Sequence, residues 1–127
     1  MLLGDPHDNA VTDATIGCAI EVHRVLGPGL LESVYESAIC VELGLAGRRF
    51  ERQLSVPLVY KGVRLSDHSV DLIVDERVVV EVKSVSRLEP VHTAQLMTYL
   101  RVLNLRVGLV INFNGAVLRQ GIKRVML

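Results

Sequence analysis

Hydrophobic residues recur with the period of a helix in three segments of the chain. Between those segments they alternate with polar residues or form short continuous runs. The helical period predicts helices over residues 12–26, 30–43 and 90–103. The polar residues 1–10 precede the first helix and are expected to fray. Strands are predicted at residues 50–60, 63–65, 70–74, 78–82, 106–112, 116–118 and 122–126, where β-branched and other apolar residues are concentrated.

Each predicted helix has an apolar side, and the third also has an unusual polar side. His92, Gln95 and Tyr99 share that side, whereas a solvated helix face is usually rich in Lys and Glu. These three residues are therefore candidates for a functional surface. The positions predicted to be buried are Ile16, Ala19, Ile20, His23 and Leu26 in the first helix, Val34, Ala38, Val41 and Leu45 in the second, and Leu96, Leu100 and Leu103 in the third.

The strands predicted at residues 70–74 and 78–82 read as a hairpin, and charges lie within and just beyond its apolar runs. These charged residues are Asp71, Glu81 and Lys83. Burying an unpaired carboxylate or ammonium group costs free energy, so the charges must either pair with one another or surround a bound cation.

The length of the hairpin loop decides whether the two acids meet. If residues 75–77 form the loop, Asp71 lies opposite Glu81, with about 4.5–5.5 Å between their Cβ atoms, and Lys83 points to the same face. A two-residue turn would place Asp71 opposite Val82 and send the acids to different faces. We expect the longer loop or an equivalent bulge. Two carboxylates in register repel each other, which a cation would relieve.

The same residues resemble a known motif. Asp71, followed after nine residues by Glu81-Val82-Lys83, resembles the D…ExK core of the PD-(D/E)XK nuclease superfamily. Upstream, GLLESVY at residues 29–35 matches the signature of the small bacterial GxxExxY family, which is placed in that superfamily. Downstream, Gln95 and Tyr99 fall in a Q-x-x-x-Y pattern similar to that of RecB-type nucleases.

This resemblance implies a restriction-endonuclease-like α/β fold. Its αβββαβ core would be a mixed sheet flanked by helices, with an extra N-terminal helix and additional C-terminal strands. The chain would form one nuclease-like domain over residues 1–127. The implied reaction is hydrolysis of phosphodiester bonds in DNA or RNA.

The resemblance also assigns roles to individual residues. Asp71, Glu81 and Glu32 would be oxygen ligands, with the backbone carbonyl of Val82 as a further candidate. Hard oxygen ligands favour Mg²⁺ or Mn²⁺. Lys83 would orient the attacking water or stabilise the transition state. The remaining candidates are Gln95, which would position water or substrate, and Tyr35, Tyr99 and His92, which would lie near the substrate or support the site.

The candidate charges also have purely structural explanations. Glu32 is a first-turn acid, which the helix dipole favours. Lys83 would balance a buried edge by pairing with Asp71 or Glu81. A single lysine between two acids nevertheless leaves one negative charge uncompensated, so we favour the cation site.

Composition and charge argue against a tight non-specific nucleic-acid binder, a membrane protein and a secreted protein. The 127 residues include 14 basic and 14 acidic residues, so the net charge gives no sign of tight non-specific nucleic-acid binding. A nuclease is still possible, because acids at a metal site can offset a basic groove. We expect no membrane span and no secretory signal. Cys18 and Cys40 are expected to be reduced, buried thiols of a cytoplasmic protein.

Two questions stay open at the level of the sequence. The basic cluster of Arg48, Arg49, Arg52, Lys61 and Arg64 would be either a solvated sheet edge or a surface that contacts phosphates. Small size and neutral charge also fit a second class of function, a non-catalytic nucleic-acid-binding or assembly module on a nuclease fold. In either class, a homodimer or a larger complex would supply additional contacts with nucleic acid.

Overall fold

The computed structural model describes residues 4–127, and its elements follow the predicted alternation of helices and strands. The apolar and β-branched runs form strands, and the segments with helical periodicity form the helices that cover them. The elements are α1 (Pro6–Leu26), α2 (Glu32–Leu45), β1 (Phe50–Tyr60), β2 (Val63–Val74), β3 (Val78–Lys83), α3 (Pro90–Leu103), β4 (Val107–Asn112), the 3-10 helix η1 (Leu118–Gly121) and β5 (Ile122–Met126).

The five strands form one sheet in the order β1-β2-β3-β4-β5. Strands β3 and β4 are parallel, with α3 as the connection between them, and every other neighbouring pair is antiparallel. The elements from α2 to β4 therefore confirm the predicted αβββαβ core. Helix α1 is the predicted extra N-terminal helix, and β5 is a single C-terminal strand.

Helices cover both faces of the sheet. The side chains of Val78 and Val80 point to the face covered by α1 and α2, whereas Val79 points to the face covered by α3. This alternation follows from the two-residue period of a strand. Strand β4 lies inside the sheet, and all six of its residues are buried, as its nearly continuous apolar sequence predicts.

The outer part of the β1–β2 hairpin, which we name the hairpin arm (residues 54–70), packs on a different face from the inner part. Phe50 and Leu72 pack on the α1/α2 side, whereas Leu54 and Val70 pack on the α3 side. The change occurs at Gln53, whose φ of 51° places it in the left-handed region. This conformation reverses the expected alternation and turns the hairpin arm across the sheet.

Helix α1 begins at Pro6, earlier than predicted, so the expectation that residues 1–10 fray is wrong for residues 6–10. Asp5 caps the helix by accepting a hydrogen bond of 2.7 Å from the backbone nitrogen of His7. Asp8 is buried and pairs with Arg77 at 3.0 Å, which ties this end of the helix to the β2–β3 loop. Residues 1–3 of the same prediction lie outside the described residues.

The buried side of α2 also differs from the prediction. Tyr35, Ile39 and Leu43 are fully buried, whereas Val41 and Leu45 of the predicted side are 62% and 78% exposed. Both sides of this helix are apolar, so periodicity alone could not choose between them.

Two predicted strand assignments need correction. Residues 63–65 and 70–74 belong to one continuous strand, β2, and not to two hairpins. Residues 116–118 do not form a strand, because this segment leads into η1. Pro57 lies in β1, at the edge of the sheet, as predicted.

Candidate active site

The predicted register of the central hairpin is confirmed for the three residue pairs that form, but strand pairing stops before the predicted pair of Asp71 and Glu81. Val74 pairs with Val78 and Leu72 with Val80, and residues 75–77 form the loop between them. Asp75 and Glu76 have φ values of 51° and 58°, which lets three residues close the loop. This register directs Asp71 and Glu81 towards each other.

Strand β2 separates from β3 just beyond the Leu72–Val80 pair, and we name this point the strand fork. Here the side chain of Asp71 replaces a backbone partner, because its Oδ2 accepts a hydrogen bond of 2.8 Å from the backbone nitrogen of Val82. Its Oδ1 accepts a second bond, of 3.2 Å, from the Gln53 side chain. The fork therefore fixes the carboxylate of Asp71 against the free edge of β3.

Glu81 lies at the strand fork and is 6% exposed. Within the described residues its Oε1 is buried without a hydrogen-bond partner. The pKa of Glu81 is raised to about 9, first by burial and then by the charge of Asp71, against the opposing effect of Lys83. Glu81 is therefore protonated at neutral pH when no cation is bound, as expected for two adjacent carboxyl groups.

The free edge of β3 carries a second carboxylate. Glu32, in the first turn of α2, accepts a hydrogen bond of 3.1 Å from the backbone nitrogen of Ser84. Ser84 follows Val82 by two residues, so the two N–H groups point to the same edge. The carbonyl oxygen of Val82 faces that edge too, because N–H and C=O of one strand residue share a side.

The structure does not combine all three carboxylates into one group. Over residues 4–127 no cluster of three or more His, Cys, Asp or Glu side chains is placed to hold a metal ion. Asp71 and Glu81 are adjacent, whereas Glu32 is held on the backbone of Ser84.

Lys83 shares the face of Glu81, two residues further along β3. In the described chain no nitrogen of Lys83 lies within 4.0 Å of an acid, so the expected structural pair with Asp71 or Glu81 does not form. Its charge nevertheless lowers the pKa of Glu81. The ammonium group is thus near the acid pair and free to bind an anion.

Sequence reasoning missed a polar network that supports Asp71 from β1 and α2. The Gln53 side-chain nitrogen donates to Asp71 and also, at 2.7 Å, to the buried Glu36. Glu36 in turn binds Arg52 at 2.8 Å, and the oxygen of Gln53 accepts from Ser69 at 3.0 Å. Gln53 thus connects the helix to the acid at the fork.

Tyr99 of α3 faces the acid pair. It is buried, and burial raises its pKa, followed by the negative charges of Glu81 and Asp71. Its hydroxyl lies 3.1 Å from Nδ1 of His68, a contact that the sequence did not suggest. Gln95 is exposed one turn earlier on the same side of α3. Tyr99 therefore lies near the acid pair, and Gln95 precedes it on the same side of the helix.

Two other candidates have structural contacts. Nδ1 of His92 accepts a 2.9 Å bond from the backbone of Glu89, so this ring caps α3. Tyr35 is fully buried in the α1/α2 core and stacks on Phe113 at 4.5 Å. Its hydroxyl donates to the carbonyl of Gly27 at 2.6 Å, which holds the turn before α2. The expected supporting role of Tyr35 is thus in the fold, on the face away from Glu81.

The basic cluster around β1 is largely neutralised by acids. Arg48 pairs with Asp75 at 2.9 Å, Arg52 with Glu36 at 2.8 Å, and Arg64 with Asp67 at 2.6 Å. Of the two alternatives, a solvated edge of ion pairs agrees better with this arrangement than a surface that contacts phosphates.

The fork can accommodate a divalent cation. Two adjacent carboxyl groups and a carbonyl are hard oxygen donors, and an unpartnered buried Oε1 of Glu81 is available to a cation. The small number of protein ligands suits Mg²⁺, which keeps several of its waters. A cation would also remove the reason for Glu81 to stay protonated.

The mixed five-stranded sheet with helices on both faces has the architecture of a restriction-endonuclease-like fold. A family model described as the PD-(D/E)XK nuclease superfamily matches residues 9–125, and the chain belongs to that superfamily. Nucleases of this superfamily generally use divalent metal ions, and their substrates are nucleic acids. No curated protein and no solved structure matches the chain significantly. Among the described residues, no helix is long and apolar enough to cross a membrane.

Proposed function

We propose that the protein is a Mg²⁺- or Mn²⁺-dependent nuclease that hydrolyses phosphodiester bonds in DNA or RNA. The observation that carries this proposal is the buried carboxyl group of Glu81 beside the half-buried carboxylate of Asp71, with Lys83 nearby and in no ion pair. A fold gains nothing from burying Glu81 in this position, because burial and the neighbouring charge of Asp71 both disfavour its ionisation. The arrangement becomes favourable when a cation and an anionic substrate bind.

In this proposal Asp71, Glu81 and the carbonyl of Val82 would hold the cation, and Glu32 would support it through water. A bound divalent ion supplies positive charge against the negative charge that develops on the phosphate. Asp71 is already oriented for this role by the backbone of Val82 and by Gln53.

Lys83 acts on the reacting groups directly. Its ammonium group donates hydrogen bonds to the attacking water or to a phosphate oxygen, where an ionised donor is effective in a partly buried site. Gln95 positions the water or the substrate through its amide, and Tyr99 lines the same side. His92 supports this side of the site by capping α3.

More specific assignments belong to the same proposal. The GLLESVY segment at residues 29–35 supports membership of the GxxExxY family, and Gln95 with Tyr99 supports a RecB-type site. Two free buried cysteines, Cys18 and Cys40, support a cytoplasmic location. Neutral charge and small size support a homodimer or larger complex as the active form.

One observation favours a second candidate, a non-catalytic module that binds nucleic acid or organises an assembly. Only two of the three expected acids are adjacent, and Glu81 is neutral at pH 7 without a cation. A site that never binds metal would keep this state permanently.

The test measures Mn²⁺ binding by calorimetry and cleavage of labelled DNA and RNA, with wild-type protein and Glu81→Ala. We expect one Mn²⁺ site in the wild type and loss of both binding and cleavage in the variant. A matched control is Glu76→Ala, which removes an exposed acid from the hairpin loop and should change neither result. Absence of Mn²⁺ binding in the wild type would favour the non-catalytic module, and cleavage that persists in Glu81→Ala would reveal a contaminating nuclease.

A further inference from the structure

A cleft lies at the carboxyl ends of the parallel strands, between the loop that leads into α3 and the turn that leads into η1. Its volume is about 290 Å³, and its walls include the cations Arg87 and Lys123 with the polar side chains of Ser86 and Gln120. No Asp or Glu is among its lining residues. We name it the Arg87–Lys123 cleft.

The strand register places this cleft beside the candidate active site. Glu81 pairs with Val110 of β4, and Val110 pairs with Lys123 of β5, so the three residues form one row across the sheet. Two residues further along, Lys83 pairs with Asn112, which lines the cleft. Neighbouring strands are about 4.8 Å apart, so the backbones of Glu81 and Lys123 are about 10 Å apart.

Lys123 also points to the same face as Glu81. Val125, two residues further along β5, packs in the core on the α3 side, and residues at this spacing share a face. Val79, two residues before Glu81, packs in that same core. The side chains of Glu81 and Lys123 therefore lie on the same, α3 side of the sheet.

The walls of the cleft are held in place by buried contacts. The buried Asn112 side chain binds both backbone groups of Val85 at 3.0 Å, which fixes the loop that carries Arg87. On the opposite wall, a Cβ atom at Gly121 would lie only 2.5 Å from the carbonyl oxygen of Asn112. The turn therefore approaches β4 so closely that only glycine fits there, and the cleft keeps a defined shape.

We propose that the Arg87–Lys123 cleft binds the backbone phosphates of the nucleic-acid strand on one side of the bond that is cut. The substrate class rests on the proposed function, whereas the position and charge of the cleft are independent of it. A stacked strand advances about 3.4 Å per nucleotide, so 10 Å corresponds to roughly three nucleotides. A nucleic-acid strand that extends from Asp71 and Glu81 to Lys123 would thus place successive phosphates along the row of Glu81, Val110 and Lys123.

One contact competes with phosphate. Nε of Arg87 lies 3.5 Å from the carboxylate of Glu89, and both side chains are largely exposed, at 82% and 51%. An exposed ion pair of this kind stabilises the protein little, so a phosphate with two nearby cations can displace the carboxylate.

The test is the salt dependence of binding to fluorescein-labelled single-stranded DNA and, separately, RNA, measured by fluorescence anisotropy in EDTA so that no cleavage occurs. The double variant Arg87→Ala/Lys123→Ala should bind more weakly, and the slope of log K against log salt should fall by about 1.4, for two lost phosphate contacts on a single strand. The conservative variant Arg87→Lys/Lys123→Arg should bind like the wild type, because it keeps both charges.

The matched control is Arg106→Ala, which removes an exposed cation at the opposite end of β4 and should leave the slope unchanged. The cleft proposal is overturned if the double variant has the wild-type slope, or if the wild type binds neither oligonucleotide. Cleavage and Mn²⁺ binding test the nuclease separately, so binding that depends on the cleft without cleavage would support the cleft and reject the nuclease. Preference for DNA or for RNA in this assay identifies the substrate.

Discussion

The two halves of β3 have the same backbone conformation and opposite roles. Its first half is apolar and has partners on both sides, whereas its second half has partners only in β4, because β2 has left it at the strand fork. The free edge of the second half is occupied by the carboxylates of Asp71 and Glu32. One strand can therefore stabilise the sheet at one end and hold reactive charges at the other.

The largest expected effect concerns Lys83, at the charged end. Lys83→Ala should lower the rate of phosphodiester cleavage about 10²–10³-fold, because one charged hydrogen-bond donor to the developing charge is lost. Mn²⁺ affinity should stay the same or rise, since a neighbouring positive charge has gone. Calorimetry and single-turnover cleavage would measure the two effects. Loss of Mn²⁺ binding instead would show that the lysine organises the cation site.

The second prediction concerns how far the Glu81 side chain lowers the free energy of unfolding of the metal-free protein. Its pKa of about 9 in the folded protein exceeds the ordinary value of 4.5, so between these pH values the folded state keeps a proton that the unfolded state has released. This difference lowers the free energy of unfolding as the pH rises from 4.5 to 9. Glu81→Gln should therefore stabilise the metal-free protein at pH 7, on the order of 3 kcal/mol at about 1.4 kcal/mol per pKa unit.

Thermal unfolding in EDTA at pH 4 and pH 7 would test this effect. At pH 4 the wild type and Glu81→Gln should have similar stability, because the carboxyl group is then neutral in both states. A variant that is equally or less stable at pH 7 would contradict the raised pKa. The same variant should have lost Mn²⁺ binding, so that stability and function change in opposite directions.

A substitution in the apolar half of β3 should lower the stability of the protein and leave its Mn²⁺ affinity unchanged. Val80 is fully buried and pairs with Leu72 and Leu109 on its two sides. Val80→Ala should reduce the free energy of unfolding by about 2 kcal/mol, through lost burial and a small cavity. Urea unfolding would measure the change. Mn²⁺ affinity per folded molecule should not change, and a large loss of affinity would mean that the two halves are coupled.

The smallest expected effect is at Gln53, which supports the fork from β1. Gln53→Gly should weaken Mn²⁺ binding about tenfold, as is usual when a residue that orients a ligand is removed. Stability should change little, because glycine relieves the left-handed backbone strain of about 1 kcal/mol while three side-chain hydrogen bonds, to Asp71, Glu36 and Ser69, are lost. Calorimetry would measure the Mn²⁺ affinity, and urea unfolding would measure the free energy of unfolding. Gln53→Asn serves as the comparison, because asparagine also tolerates this backbone conformation.

The register at the fork was predictable because it depends on local information. The apolar runs fix the two strands, and a three-residue loop leaves one register that joins Asp71 to Glu81. The parallel pair of β3 and β4 was implied only through the mixed sheet of the family that the chain resembles, and a helix of the length of α3 makes that connection. The register alone rests on residue order within short segments.

The features that the sequence did not predict depend on distant contacts. Helix α2 is apolar on two sides, and only the neighbouring α1 and the sheet decide that Tyr35 and Ile39 are buried while Val41 is exposed. Gln53 looks like a solvated residue of an edge strand. Its contacts with Glu36 and Asp71 arise from a left-handed backbone that leaves no signal in a single sequence.

The conformation of Gln53 also limits how the hairpin arm can vary in length. Beyond this residue, β1 and β2 pair in register from Leu54–Val70 to Leu58–Ser66, the register then shifts by one residue at Leu65, and a two-residue turn closes the tip. Adding two residues to each strand would lengthen the arm and keep every side chain on its present face. Adding one residue to each strand would instead move every side chain beyond the insertion to the opposite face of the sheet. Length changes at this tip are therefore expected in pairs, while the acids at its base keep their spacing.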